Sequence, residues 1–136
     1  MPRKKVKKQK KPYFVRFLWA LIALLVVFAF GFYMQYSSVT TYTGTLPCAD
    51  CSGIQTTLTI RGNHSYTLQS LYIGKGGPFT EQGVWEQTEK NNMQVYQLTS
   101  NEATSYYQIV SEGTIRMLDS QAEPINAPFN LDLKRE

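Results

Sequence analysis

Polar and apolar residues alternate with a period of two through most of the chain after Gln35. The alternation is regular over residues 54–61, where Ile54, Leu58 and Ile60 share one phase with Thr56, as expected of a half-buried strand. Similar segments recur every eight to twelve residues, with Gly, Asn, Pro and Ser between them. Counted from a first strand at Val39–Leu46, the pattern predicts eight short strands joined by short loops, which is typical of an up-and-down antiparallel meander.

A meander of eight strands predicts a closed barrel, because closure removes the two bare edges that a flat sheet would leave. Eight strands enclose an interior just wide enough for side chains or for one small ligand. Large aromatic residues fall in the predicted inner phase: Tyr66, Tyr72, Trp85, Tyr107 and Phe129. We therefore predict an all-β fold, a small antiparallel β-barrel of about eight strands with a mostly filled interior. A two-sheet sandwich is the alternative.

Before the strands, an uncharged run of 18 residues extends from Phe17 to Met34. As a helix it would be roughly 27 Å long, close to the thickness of a bilayer's hydrocarbon core. A cleaved secretory signal is the competing interpretation, but signal cores usually span about 7–15 apolar residues and end at a small-x-small site. Here the best such site, residues 29–31, lies inside the run. We predict a retained transmembrane signal-anchor over residues 17–36.

Charge is distributed unevenly along the chain. Residues 1–16 contain eight of the fourteen Lys and Arg and no acid, so the rest carries six basic groups against ten acids, a net charge of −4. The basic segment predicts a cytoplasmic tail, 1–16, that contacts anionic lipid, with a single pass and residues 37–136 outside the cytoplasm. An acidic folded part excludes nucleic acid as a partner.

The two cysteines form a Cys-x-x-Cys motif, Cys48 and Cys51, in the predicted loop between the first two strands. Three interpretations stay open: a local disulfide, a redox couple, or two thiolates for a soft metal such as Cu(I). The redox couple is disfavoured because Asp50 lies between the thiols and no basic residue follows before Arg61. For copper, Met93, Met117 and His64 are candidate additional ligands, although both Met residues are predicted to pack and His64 to occupy a turn.

The sequence contains no other catalytic pattern. One histidine cannot provide a two-histidine metal site, and neither Gly-x-Ser-x-Gly nor a phosphate-binding loop is present. The segment Gly74–Pro78 is predicted to be a hairpin loop, and the acids are predicted on polar strand faces and in turns. We expect a protein that is not an enzyme.

The residues around the cysteines carry a specific resemblance. The run Tyr42–Leu58, which contains Pro47-Cys48-Ala49-Asp50-Cys51-Ser52-Gly53, resembles the opening of the NlpE N-terminal domain, a copper-resistance and envelope-stress lipoprotein family. Later stretches resemble it in order: Tyr66, Tyr72–Gly74, Gly83–Trp85, Tyr106–Tyr107, Met117–Asp119 and Phe129–Leu133. The resemblance covers roughly residues 40–134.

This resemblance implies a lipocalin-like barrel at residues 37–136 in a bacterial envelope. Combined with the predicted transmembrane anchor, it predicts a barrel in the periplasm, anchored in the inner membrane. It also implies a role in copper tolerance or envelope-stress sensing, with a signalling protein as partner. Cys48 and Cys51 carry over as motif and candidate copper residues, supported by Pro47, Ala49, Asp50 and Gly53. The alternative is a lipocalin-like carrier of a small apolar ligand.

The chain differs from the family pattern in two ways that bear on delivery to the outer membrane and on signalling. Family members are typically lipoproteins with an N-terminal lipid-bearing cysteine, which the apolar run lacks, and the best-known members have a second, OB-like domain beyond the barrel. We expect this chain to contain neither feature.

Overall fold

The computed structural model describes residue 2, residues 13–36 and residues 38–136. The predicted basic tail, 1–16, lies outside the described residues except for residue 2 and residues 13–16. The first element, α1, spans Tyr13–Tyr36 and begins four residues before the predicted anchor. Its window Val15–Met34 has a mean hydropathy of 2.4 and is exposed throughout. The helix is long and apolar enough to cross a membrane, as an anchor or as a signal sequence.

Eight antiparallel strands form a closed barrel in chain order. Their bounds are β1 Val39–Leu46, β2 Ile54–Arg61, β3 Ser65–Tyr72, β4 Gly76–Lys90, β5 Met93–Thr99, β6 Thr104–Ser111, β7 Thr114–Met117 and β8 Asp132–Arg135. Each strand pairs with the next, and β1 pairs with β8 to close the ring. The predicted fold class is confirmed, and the first strand has the predicted bounds.

The barrel interior is filled by apolar and aromatic side chains that alternate along the strands. Nine buried residues form this core: Tyr42, Leu46, Leu58, Ile60, Tyr66, Leu98, Tyr107, Ile115 and Leu133. Trp85 and Met117 pack against it, and Met93 packs against a second cluster of Val95, Leu118 and Ala122. The prediction that both methionines are packing residues is therefore confirmed.

Two predictions about individual segments are wrong. Phe129 was expected on the inner face, but it is 61% exposed, because it lies in a bend before β8, which begins only at Asp132. Gly76, Gly77 and Pro78 were expected in a loop, whereas β4 already begins at Gly76. Only the three residues 73–75 connect β3 to β4.

In this topology, alternate connections lie at the same end of the barrel. The β1–β2 loop therefore shares one end with the β3–β4 turn and the β5–β6 turn, residues 100–103. Val39, where the chain enters the barrel, lies at the other end with the β2–β3 turn. Because β1 has eight residues, the cysteine-bearing loop is separated from the entry point by roughly 27 Å of strand.

Candidate functional site

The β1–β2 loop contains both cysteines, and they form a disulfide. Cys48 and Cys51 are half-buried, with their Cα atoms 5.3 Å apart, and the described residues contain no free cysteine. Of the three interpretations left open by the sequence, this is the local disulfide. A bridge across three residues closes too small a loop to stabilise the whole fold appreciably, so its effect is to fix the shape of the loop.

Each sulfur also lies near an oxygen of the loop. The Cys48 Sγ is 3.6 Å from Asp50 Oδ1, and the Cys51 Sγ is 3.3 Å from the Gly53 carbonyl oxygen. In a reduced pair, these oxygens are positioned to accept weak hydrogen bonds from the two thiols. Only the reduced thiols carry a hydrogen to donate, so these contacts can act as hydrogen bonds in the reduced pair alone.

Gly53 ends the loop in a conformation that favours glycine. Its φ is 145°, and a β-carbon there would lie 2.7 Å from Cγ2 of Thr45. Its carbonyl accepts a hydrogen bond from the Ile73 amide at 3.0 Å, which joins the loop to the β3–β4 turn. Gly53 is thus the motif residue with a structural role, while Pro47 and Ala49 are exposed.

A second link joins the same loop and turn. The ammonium group of Lys75 forms an ion pair with Asp50, and both side chains are exposed. Sequence proximity gave no basic residue near the thiols, because Lys75 is 25 positions from Asp50. The antiparallel topology brings them together, since the β1–β2 and β3–β4 connections share an end of the barrel. Lys75 could have been identified from the predicted topology, because it lies in the β3–β4 turn, at the same end of the barrel as the cysteine loop.

A cleft of about 430 Å³ lies beside this link and is lined by Asp50, Tyr72, Lys75 and Phe79. The rings of Tyr72 and Phe79 meet edge to face with centroids 5.6 Å apart. The disulfide loop, the ion pair and these two aromatic rings form one partly exposed surface, which we call the loop face.

The other candidate copper ligands do not join the cysteines. His64 lies in the β2–β3 turn at the opposite end of the barrel, with φ 64°, and its ring stacks on Trp85 at 5.2 Å between centroids. The prediction of a left-handed turn residue is confirmed. Met93 and Met117 pack in the two apolar clusters. Among the described residues, no group of three or more His, Cys, Asp or Glu could hold a metal ion.

One acid departs from its predicted place. Glu81 was expected on a polar face, but it shares the inner phase of β4 with Gly83 and Trp85 and is half-buried. Its Oε1 accepts a hydrogen bond from the buried phenol of Tyr66. Burial, with the help of this carboxylate, raises the pKa of Tyr66 above its usual range, so the phenol stays a donor. Glu81 could have been predicted to face inward, because it lies four residues before Trp85 and side chains at a period of two share one face of a strand.

Comparison with known proteins gives a consistent result. Residues 42–128 match the family model of the NlpE N-terminal domain. Lipoprotein NlpE of Escherichia coli strain K12 is 30% identical over 94 residues, which span 67% of this chain and 38% of the length of that relative. The chain therefore corresponds to well under half of that curated protein.

Two solved structures resemble the chain. A crystal structure of a candidate lipoprotein from Shewanella oneidensis matches with a TM-score of 0.58 at 34% identity, covering 74% of this chain and 89% of the other. The crystal structure of the Cpx pathway activator NlpE from Escherichia coli matches with a TM-score of 0.55 at 32% identity, covering 67% of this chain and 47% of the other.

Proposed function

Because the chain belongs to the NlpE N-terminal domain family, we propose that it is a non-enzymatic envelope protein anchored in the bacterial inner membrane. Its barrel lies in the periplasm and acts in envelope-stress sensing or copper tolerance through the Cys48–Cys51 loop. The E. coli relative described as a Cpx pathway activator supports a signalling role. A signalling protein of the envelope is the proposed partner.

One observation carries this proposal: the cysteine pair lies in an exposed loop that the fold holds in place. The loop is linked to the neighbouring turn by the Gly53–Ile73 hydrogen bond and the Asp50–Lys75 ion pair. Reduction of the disulfide would let the backbone around Cys48 and Cys51 move without disturbing the buried core. A change in redox state would therefore alter the surface offered to a partner.

The proposed placement follows from the helix and from charge. The helix α1 supplies an apolar window of 20 residues, and the Lys and Arg of residues 1–16 precede it. Positive charge on the N-terminal side favours a cytoplasmic N-terminus and an external barrel. In the periplasm, an oxidised Cys48–Cys51 pair is the expected resting state.

Copper fits the reduced pair alone. The disulfide has no thiolate to offer, whereas reduction supplies two soft sulfur donors, a set suited to Cu(I). Because His64, Met93 and Met117 lie elsewhere, Cys48 and Cys51 would hold the ion without them. We therefore propose that copper binding, like sensing, depends on the redox state of the loop.

Competition for Cu(I) against a chromophoric chelator tests the copper part. The reduced full-length chain is expected to bind one Cu(I), Cys48→Ser to bind at least about tenfold more weakly, and the oxidised chain not to compete. His64→Gln is the control and should match wild type. Equal affinities of wild type and Cys48→Ser would refute the copper role.

A reporter of the envelope-stress response tests the sensing part separately. Raised expression of wild type is expected to activate the reporter, and a Cys48→Ser/Cys51→Ser double variant at equal abundance to lose most of that response. An unchanged response in the double variant would show that the loop does not carry the signal.

A further inference from the structure

The barrel wall has a gap at the end that carries the loop face. The ladder between β4 and β5 starts only at Val84, which pairs with Thr99. Of the preceding residues, Gly76 and residues 79–83 pair with β3, and none of residues 76–83 pairs with β5, because the chain leaves β5 into the turn of residues 100–103. Pro78 lies on this bare edge, where a residue without an N–H blocks pairing with another strand.

The gap is bounded by two well-defined parts of the structure, the start of the β4–β5 pairing and the turn of residues 100–103. At Gly83 a β-carbon would be 2.1 Å from the Thr99 carbonyl oxygen, so the two strands close tightly just below the gap. On the side, the Ser100 amide donates to the Ala103 carbonyl at 2.9 Å, and Ser100 Oγ accepts from the Ala103 amide at 3.2 Å. The gap is therefore part of the folded wall.

A cavity of about 430 Å³ occupies the gap, a volume within the range of small-molecule sites. Its apolar side is formed by Leu68, Tyr72 and Phe79, and the Phe79 ring is 61% exposed. Its polar side includes Glu81, Ser100 and Glu102. The lining contains two acids and no Lys, Arg or His.

Glu81 is the polar group at the inner side of this cavity. The Tyr66 phenol bonds to Oε1, which leaves Oε2 as an acceptor for a second donor. A carboxylate held this way, beside aromatic rings and without a neighbouring cation in the lining, is complementary to a positive charge. An anionic ligand would instead meet two like charges.

We propose that this cavity binds a small primary amine with an apolar or aromatic body. Its ammonium group donates to Glu81, with Glu102 adding attraction at the rim, and its body packs on Tyr72 and Phe79. The site differs from the carrier role predicted from the sequence, since the ligand lies in the gap in the wall and not in the filled centre. It is also independent of copper, because no cysteine lines it.

The test uses the full chain in nanodiscs of zwitterionic phosphatidylcholine and two soluble probes of similar shape and opposite charge. Binding of phenethylamine and of 3-phenylpropionate is measured by saturation-transfer NMR at neutral pH, with empty nanodiscs subtracted. We expect saturable binding of the amine and at least about tenfold weaker binding of the acid.

Three variants locate the site. Glu81→Gln is expected to weaken amine binding about tenfold, and Glu89→Gln, which removes an exposed acid from the far half of β4, to leave it unchanged. Phe79→Ala, at a residue that is 61% exposed and belongs to neither buried cluster, should weaken binding of the amine even if Glu81→Gln proved unstable. Equal affinity for the two probes, no saturable amine binding, or unchanged binding in Glu81→Gln and Phe79→Ala would each overturn the proposal.

Discussion

At the scale of single residues, Gly83 shows how closely the strands of this barrel approach one another. A β-carbon at this position would lie 2.1 Å from the Thr99 carbonyl oxygen and 2.8 Å from Cε1 of the Tyr66 ring. Both neighbours belong to the wall or the core, so neither can move without strain. A strand glycine usually weakens a sheet, but here close backbone approach requires one.

Replacing Gly83 by alanine should therefore destabilise the protein. We expect Gly83→Ala to lower the free energy of unfolding by about 1–3 kcal/mol or more, as for an overpacked core. Denaturant unfolding of the full chain in micelles, followed by near-ultraviolet circular dichroism, measures it. Gly113→Ala is the control, since a β-carbon there meets nothing within 4 Å. Equal losses in the two variants would contradict the close approach at Gly83.

The buried tyrosines predict how the fold responds to alkali. Burial raises the pKa of Tyr107 and of Tyr42 to about 12 from the ordinary 10. The folded state favours the neutral phenols, so their contribution to stability is complete below pH 10 and is lost as pH rises toward 12. We expect unfolding in this window, with two or more tyrosines ionising together with it in an ultraviolet titration. Ionisation of all nine tyrosines near pH 10, without unfolding, would be inconsistent with their burial.

The roles of some residues in the candidate sites could be predicted from the sequence, and those of others could not. Cys48, Cys51 and Gly53 lie in one short motif, so they could be identified from neighbouring positions in the sequence. Lys75 and Glu81 reach their partners only across strands, and contacts between positions 15 to 25 residues apart depend on register. A one-residue slip of β4 would turn Glu81 to the outside.

At the scale of elements, the strand pattern is predictable because one face of each strand is buried and the other is not. That difference fixed β1 and the inner phase of β2. The pattern failed at Phe129 and at Gly76–Pro78, which lie at the ends of strands. Strand ends depend on the pairing partner and on turn geometry, and neither is strongly reflected in the amino-acid sequence. The gap beside β4 has the same origin, since it reflects where β5 stops.

The strand pair β7–β8, next to the β1–β8 pair that closes the ring, carries a testable ion pair. Arg116 donates to Asp132 through Nε at 2.6 Å and through a terminal nitrogen at 3.0 Å. The guanidinium group holds the pKa of Asp132 below its usual 3.8. Its contribution to stability is therefore complete above pH 3.8 and is lost as pH falls toward the lower pKa of the folded state.

Asp132→Asn should consequently cost at most about 1 kcal/mol near neutral pH, because the pair is partly exposed. The difference from wild type should be constant between pH 7 and pH 5 and shrink below about pH 4. Urea unfolding of both proteins across this range measures it, with Glu112→Gln as the control for removing one acid. A difference that grows on acidification would contradict the ion pair.

At the scale of the whole molecule, an apolar helix of 24 residues precedes a closed barrel whose β1–β2 loop contains the disulfide. The family match identifies the barrel as an NlpE N-terminal domain. The structure shows it as a closed barrel with a disulfide in the Cys-x-x-Cys motif. The composition of residues 1–36 underlies the proposed orientation. Because residues 1–136 contain only two cysteines, both the redox state and the location of the loop can be measured on this chain by thiol labelling.

Labelling with a membrane-impermeant maleimide in spheroplasts tests this arrangement most directly. We expect no labelling of the untreated chain and strong labelling after an impermeant phosphine reductant, with none in the Cys48→Ser/Cys51→Ser variant. That result requires an oxidised pair on the outer side of the inner membrane. Labelling that needs no reductant, or that occurs only after lysis, would contradict the account.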